Sequence, residues 1–338
     1  MPRVPTRRRF IHVSAAAAGL ALLPVRHGLS AAGASDQAYP RLRTWRGVAL
    51  GADATLQIHH PDPATADRLI DRCRVEVARL ERIFSLYRDD SALRRLNRDG
   101  TLEDPPIELV ELLGRAEAFS RLTSGAFDVT VQPLWDLYAA HFSMPGADPS
   151  GPSKAAIGAA LQRVGHGAVE IGSSSVQLAK PGMALTLNGI AQGYITDQIV
   201  GLLRDAGIDH SLVDMGEIRA IGSRPSGSPW VVGLEDPAAP GRVAEQITII
   251  DQAVATSGGY GTQFDPRGRF NHIFDPRTGA TSWRYLSVSV IAPIATTADA
   301  LSTGFSLMPL DSIRPVAASL GIKAHFALPD RSRIAIST

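Results

Sequence analysis

Only one cysteine, Cys73, occurs among the 338 residues of the chain. A single cysteine excludes an intramolecular disulfide framework and a multi-cysteine metal cluster built within the chain. Aromatic residues make up 6% of the sequence, and lysine occurs only three times, so nearly all positive charge is arginine. The 34 basic and 33 acidic residues leave a formal net charge of +1, and this balance gives no sign of a nucleic-acid partner.

Long apolar runs are also missing. Beyond residue 34, no run approaches the ~20 apolar residues that a transmembrane helix requires. No H-x-x-H or H-E-x-x-H pattern occurs, so a zinc site of that type is not expected. The chain is 44% hydrophobic and 20% charged, which is typical of a globular protein and excludes wholesale disorder.

The first 34 residues have the order of a secretory leader. Three arginines stand at positions 7–9, an apolar run extends from Val13 to Leu23, and small residues follow at 30–34. A charged, then apolar, then small-residue order is typical of a signal peptide, and arginines paired before Phe10 favour the twin-arginine type. An uncleaved anchor or a basic tail is the alternative interpretation.

The leader determines the expected domain organisation. We expect a twin-arginine signal peptide over 1–34 and a single domain, made of two fused lobes, over 35–338. Export by this route would place the mature protein in the periplasm. Cleavage would remove the longest apolar run, and no stable membrane span would then remain.

Helical and strand-like patterns are interleaved along the rest of the chain. Residues 45–60 predict a strand, and Asp62-Pro63 predicts the start of a helix whose apolar stripe buries Cys73. Further helices are predicted over 107–122, 189–207, 297–307 and 311–320, and strands around 168–180, 211–221, 230–235, 243–250 and 285–293. Hairpin-like strand pairs indicate largely antiparallel sheets with packed helices, so the predicted fold class is mixed α/β (α+β).

Two segments offer groups for binding phosphate or metal. The stretch 188–194 (NGIAQGY) begins a predicted helix, where glycines and free N–H groups suit a phosphate; a tight structural turn is the alternative. Asp299 and Thr303 are four residues apart on one helix face. Their oxygens suit Mg²⁺, although a capping aspartate and an ordinary threonine would give the same pattern.

Three other segments offer a histidine and flat rings. His272 directly precedes the turn sequence 275–279 (DPRTG), and such loops often present catalytic groups; a histidine bonded to backbone is the alternative. The segment 125–135 alternates like a strand and carries an acid and aromatics. Together with 84–87 (FSLY) it could hold a ring system, or both segments could be plain packing.

In this order the segments resemble the ApbE-type flavin transferases (FAD:protein FMN transferases). Each of the following is similar to a family motif: FSLY at 84–87, GAFDVTVQPL at 125–134, GIAQGY at 189–194, TSGGY at 256–260, HIFDPRTG at 272–279 and ADALST at 298–303. Any one motif is weak, but six in order are highly specific. The resemblance covers about 45–310 and implies an ApbE-like, T-fold-like architecture with FAD in a cleft between two lobes.

Several positions depart from the family pattern. The family's Met-Gly-Thr reads LGA at 50–52, its Asp-Leu-Gly reads TLN at 186–188, and its Gly-Gly-Asp reads GEI at 216–218. The common lysine of its G-I-A-K-G-Y motif is Gln192, so a phosphate-facing positive charge is expected to be missing. With the leader, this divergence is similar to the exported subgroup linked to nitrous oxide reductase maturation.

The resemblance implies an enzyme, an FAD:protein FMN transferase. The family's reaction moves FMN from FAD, through a phosphoester bond, to a Ser or Thr hydroxyl of an acceptor flavoprotein, which would be exported or membrane-bound here. AMP is released. FAD would be the donor substrate and Mg²⁺ the metal. Two other functions stay open: hydrolysis of FAD to FMN and AMP, and a non-catalytic periplasmic flavin carrier or maturation factor.

The resemblance also assigns site residues. Mg²⁺ would be held by the side chains of Asp299 and Thr303 and by the backbone carbonyls of Ala191 and Ser302. The FAD site would be lined by Leu50, Tyr87, Ala126, Phe127, Asp128, Asn188, Tyr194 and Ile273. The attacking hydroxyl needs a proton acceptor, and His272 is the candidate because a neutral imidazole is available near pH 7.

Overall fold

The computed structural model describes residues 41–239 and 241–337, so the predicted leader lies outside the described residues. Helices and strands alternate through both ranges. Their bounds are β1 Arg41–Ala49, β2 Ala52–His60, α1 Pro63–Phe84, α2 Ala92–Asp99, β3 Thr101–Glu103, α3 Ile107–Leu122, α4 Gln132–Ser143, α5 Lys154–Leu161, β4 Val169–Ile171, β5 Ser175–Leu178, α6 Ala191–Asp205, β6 Ser211–Asp214, β7 Ile218–Ile221, β8 Trp230–Glu235, β9 Val243–Ile249, β10 Ala253–Ser257, β11 Ser287–Ala292, α7 Ala295–Phe305, α8 Leu310–Leu320, β12 Lys323–Ala327 and β13 Arg333–Ile336.

The strands form three sheets. The largest has eight strands in the order β1-β2-β6-β7-β10-β11-β12-β13, and each neighbouring pair in it is antiparallel. The others are β3-β5-β4 and the β8-β9 hairpin. These antiparallel sheets with packed helices confirm the mixed α/β fold class.

The predicted helix starts and buried stripes are largely confirmed. Asp62 caps α1, because its carboxylate accepts the N–H groups of Ala64 and Thr65. Cys73 is 1% exposed on the buried stripe of this helix, and burial raises the pKa of its thiol to about 12. α3 has the predicted bounds. Of the described helices, none is both long and apolar enough to cross a membrane.

Two predicted strands were wrong. Residues 45–60 are not one strand but parts of β1 and β2, joined by a turn in which Leu50 and Gly51 have φ of 47° and 85°. The alternation continues on both sides of this short turn, so periodicity alone could not reveal it. The segment 125–134 is not a strand: residues 125–131 form a loop, and residues 132–134 begin α4. There the Asp128 carboxylate accepts the N–H and hydroxyl of Thr130, and this local turn replaces strand pairing.

Two hydrophobic clusters meet where α6 crosses α7. The first cluster packs α1, α3 and α6 against β2 and β6, and the second packs α7 and α8 against β10, β11 and β12. At the crossing, a Cβ atom on Gly193 would lie 2.4 Å from the carbonyl oxygen of Ala295. The two helices therefore touch backbone to backbone, and this contact fixes the position of α7.

Candidate functional site

A cleft beside this crossing gathers most of the predicted site residues. Ten of them line it: Leu50, Tyr87, Ala126, Phe127, Asp128, Asn188, His272, Ile273, Asp299 and Thr303. They come from the β1–β2 turn, the segment after α1, the loop before α4, the segment before α6, the loop before β11, and α7. Residues distant in sequence thus share one cavity wall.

Three predicted residues do not line the cleft. Tyr194 is 1% exposed, its ring packs edge-on against Phe84 at 5.5 Å, and its hydroxyl donates to Glu111 at 2.8 Å. The structure therefore places Tyr194 in the core beneath α6 and not on the cleft wall. Ala191 and Ser302 are also buried, so a role in metal binding would fall to their backbone carbonyls.

The Asp299 carboxylate is buried next to the start of α6. It is 2% exposed, and its Oδ2 accepts the N–H of Gly193 at 2.9 Å. Burial raises the pKa of Asp299 to about 7, although the bond from Gly193 acts in the opposite direction. Among the described residues that line the cleft with Asp299, none is a lysine or an arginine. Burying a carboxylate without a cationic partner costs free energy. A cation bound beside Asp299 would supply that partner.

The N-terminus of α6 leaves room for a ligand. Ile190 caps this helix without a side-chain hydrogen bond. In the first turn the Ala191 N–H donates to the Leu187 carbonyl and the Gly193 N–H donates to Asp299, so among the described residues the N–H of Gln192 is the donor left for a ligand. At Gly189, a Cβ atom would lie 2.9 Å from Thr303 Oγ1. Glycine is therefore needed here for the backbone to approach α7 closely.

A buried ion pair holds the N-terminal end of α7. Asp197, on α6, accepts the N–H groups of Ala295 and Thr296 at 2.8 and 2.9 Å, and Arg219 Nη1 donates to it at 2.6 Å. Ile294 provides no side-chain cap for α7, so Asp197 performs this function from the neighbouring helix. Sequence patterns gave no signal for this residue.

The cleft is lined by acidic side chains but, among the described residues, by no lysine or arginine. Its acidic lining residues are Asp128, Glu217 and Asp299. Burial, and then the negative charges of Asp299 and Asp214, raise the pKa of Glu217 well above its usual range. Gln192, where the family has lysine, is 8% exposed and lines the same wall. Glu217 was noted only as a departure from a motif, and its position in the cleft was not predicted.

His272 presents one ring nitrogen as an acceptor. Its Nδ1 lies 3.2 Å from the carbonyl oxygen of Thr262. Because a carbonyl only accepts, Nδ1 carries the proton and Nε2 is left with its lone pair. Burial lowers the pKa of His272, so the ring is neutral at pH 7. The arrangement can accept a proton from a hydroxyl in the cleft.

The sequence is similar to characterised flavin transferases. The model of the ApbE family matches residues 50–326. The FAD:protein FMN transferase of Vibrio cholerae is 34% identical over 253 residues, covering 73% of this chain and 74% of that protein. The FAD:protein FMN transferase of Haemophilus influenzae is 31% identical over 266 residues, covering 75% of this chain and 76% of that protein.

Solved structures share the fold. The ApbE protein of Thermotoga maritima superposes with a TM-score of 0.76 at 30% identity, covering 87% of this chain and 96% of that one. The flavinyl transferase ApbE of Pseudomonas stutzeri gives a TM-score of 0.73 at 26% identity, covering 88% and 96%. The family model matches most of the length of this chain, so the chain belongs to the ApbE family.

Proposed function

We propose that this protein transfers the FMN moiety of FAD to a Ser or Thr hydroxyl of an exported or membrane-bound acceptor flavoprotein and releases AMP. The observation that carries the proposal is the cleft. It brings together Asp299 and Thr303, the N-terminus of α6, and His272. Relatives more than 30% identical carry the name FAD:protein FMN transferase, which supports the same reaction here.

The cleft residues fit a hard divalent cation. Asp299 supplies a buried carboxylate without a basic partner among the described residues, and Thr303 supplies a hydroxyl one turn later on α7. Oxygen ligands of these kinds are those that Mg²⁺ takes, and the carbonyl of Ala191 is a further candidate. The Ser302 carbonyl already accepts the N–H and the hydroxyl of Ser306, so it fits this role less well than the resemblance implies. When bound, Mg²⁺ would offset negative charge on the FAD phosphates.

The chain's own groups then account for binding and proton transfer. The pyrophosphate lies between α7 and the N-terminus of α6, where the Gln192 N–H is available as a donor, and the flavin ring lies against Tyr87 and Phe127. His272 Nε2 accepts the proton of the acceptor hydroxyl. That oxygen forms a bond to the phosphorus nearer riboflavin, the bond from this phosphorus to the bridging oxygen breaks, and AMP leaves with that oxygen.

The test combines the protein, FAD, Mg²⁺ and an acceptor that carries a flavinylation-type Ser/Thr segment. We expect intact mass to show the acceptor plus FMN less one water, together with AMP. Chelator and Asp299→Ala should abolish both products, whereas Asp311→Ala, on the exposed face of α8, should change neither.

AMP without adduct would instead indicate an FAD pyrophosphatase. Bound FAD without products, across several acceptors, would indicate a carrier, which the loss of the lysine at Gln192 favours.

Periplasmic action is part of the proposal. The leader's arginines support export by the twin-arginine route. Lysines at positions 7–9 would keep the charge of the leader but remove the consecutive arginines before Phe10. We expect this variant to accumulate as a cytoplasmic precursor in cell fractions. Normal amounts of processed periplasmic protein would contradict the twin-arginine assignment.

A further inference from the structure

Three hydroxyl groups form a chain behind the proposed metal position. Ser302 Oγ, on α7, donates to the backbone carbonyl of Asp299 at 2.9 Å. Ser257 Oγ, at the end of β10, lies 2.7 Å from Ser302 Oγ and 3.1 Å from Thr303 Oγ1. Ser302 is fully buried, whereas Ser257 and Thr303 line the cleft. The chain of hydroxyls therefore leads from the core to the cleft wall.

Counting protons gives the direction of each hydrogen bond. A carbonyl oxygen only accepts, so the single hydroxyl proton of Ser302 is committed to Asp299. Ser302 must then accept from Ser257, which commits the proton of Ser257 as well. The remaining contact needs Thr303 as its donor. The Thr303 proton consequently points at Ser257 and away from the cleft.

We propose that Ser257 is a positioning residue, which presents Thr303 Oγ1 to the cation with its lone pairs free. The inference rests on the proposed function, because it takes Thr303 as a ligand of Mg²⁺. A hydroxyl binds a cation through its lone pairs, and a proton aimed at the cation would oppose binding. Of the described residues, only Ser257 hydrogen-bonds to the Thr303 hydroxyl, so Ser257 alone directs this proton.

The surroundings hold Ser257 and Thr303 in this arrangement. Ser257 pairs with Val288 in the β10–β11 ladder, within the eight-stranded sheet. On another side of the Thr303 hydroxyl lies the backbone at Gly189, where a Cβ atom would be 2.9 Å from Oγ1. The acceptor is thus carried by a strand and the donor by a helix, and neither depends on a bound ligand.

The experiment measures Mn²⁺ binding to the protein without FAD or acceptor, by the EPR signal of free Mn²⁺. Ser257→Ala leaves the Thr303 proton without its acceptor, and we expect affinity to fall about fivefold or more, the equivalent of one hydrogen bond. Ser257→Thr keeps the hydroxyl and should bind like the unchanged protein. Ser289→Ala is the control, because it removes a buried hydroxyl bonded to Thr256 at 2.8 Å, next to the chain of hydroxyls but outside it.

Each outcome decides between the inference and the function on which it rests. Weaker binding by Ser257→Ala, with Ser257→Thr and Ser289→Ala unchanged, supports the role of Ser257. If Ser257→Ala binds Mn²⁺ as tightly as the unchanged protein, the role of Ser257 is overturned. The same holds if Ser257→Thr or Ser289→Ala loses as much affinity as Ser257→Ala. Either result leaves the metal site itself unaffected. No binding by the unchanged protein overturns the metal site as well. If circular dichroism shows Ser257→Ala unfolded, Ser257→Cys takes its place, and affinity equal to the unchanged protein overturns the inference.

Discussion

The protonation state of His272 follows from one backbone contact and from burial. The Thr262 carbonyl holds the proton on Nδ1, and burial keeps the pKa below 6.5. The motif indicated a histidine at this position of the chain, but not which nitrogen faces the reaction. That information requires the fold, because Thr262 reaches His272 across a loop and not through the sequence pattern.

The first prediction concerns the pH dependence of transfer. As pH rises through the lowered pKa of His272, the ring loses its proton and becomes a base, so kcat/KM should rise with pH and reach its plateau at a lower pH than an ordinary histidine would give. His272→Gln should lower the rate by ~10²–10⁴-fold and remove this rise of kcat/KM with pH. His325→Gln, which changes a histidine on β12 that pairs with Glu245 on β9, is the control. A pH profile unchanged in His272→Gln would exclude His272 as the base.

A second prediction concerns Asp214, a buried carboxyl outside the cleft wall. Asp214 is 8% exposed and accepts the N–H of Gly216 at 3.0 Å. Burial, with a smaller effect of Asp53, raises its pKa from 3.8 to about 7. Between these values the folded state binds more protons than the unfolded state, so the free energy of unfolding falls as pH rises through this window.

Asp214→Asn keeps the acceptor oxygen for Gly216 but cannot ionise. We expect its free energy of unfolding to exceed that of the unchanged protein by roughly 2–4 kcal/mol at pH 8, and the difference to vanish near pH 4. Urea unfolding at both pH values, in the presence of chelator, measures this difference. A destabilised Asp214→Asn protein at pH 8 would mean that the charged form has a partner in the fold.

At the scale of elements, the site depends on how α6 meets α7. Helical periodicity and glycine positions predicted both helices, but not that their backbones touch. The same limit applies to the β1–β2 hairpin and to the loop at 125–131, because short turns built from local hydrogen bonds leave the apolar pattern unchanged. Local patterns thus predicted most elements, whereas the crossing, the Asp197 cap and the position of Glu217 are properties of the tertiary fold.

The third prediction compares two glycines of α6. In Gly193→Ala, the new Cβ atom would lie 2.4 Å from the Ala295 carbonyl oxygen and 2.9 Å from Asp299 Cβ. We expect a loss of ~1–3 kcal/mol from overpacking, together with weaker Mn²⁺ binding. In Gly201→Ala nothing lies within 4 Å of the new atom, and the higher helix propensity should add up to ~1 kcal/mol.

Urea unfolding and Mn²⁺ titration of both variants separate the two effects. The Gly201→Ala protein should bind Mn²⁺ as the unchanged protein does, because its substitution lies away from α7. If Gly193→Ala bound Mn²⁺ equally well, the backbone contact would not be what positions Asp299.

At the scale of the whole molecule, the proposed function would require a bound cation to supply the positive charge that the cleft lacks. The chain has nearly equal numbers of acidic and basic residues, yet Asp128, Glu217 and Asp299 line the cleft, without lysine or arginine among its described lining residues. The FAD pyrophosphate is itself negative. Close like charges repel in a site of low dielectric, so FAD binding and metal binding should be coupled.

The last prediction tests this coupling through FAD affinity. We expect the Kd for FAD, measured by flavin fluorescence, to be at least tenfold higher in EDTA than in Mg²⁺, a difference of about 1.4 kcal/mol. Gln192→Lys adds an ammonium group to the cleft wall and should narrow this difference by improving metal-free binding. Gln162→Lys adds the same charge at an exposed position and should not. Equal FAD affinity with and without metal would show that backbone N–H groups alone balance the phosphate charge, and the missing lysine would then have no electrostatic consequence.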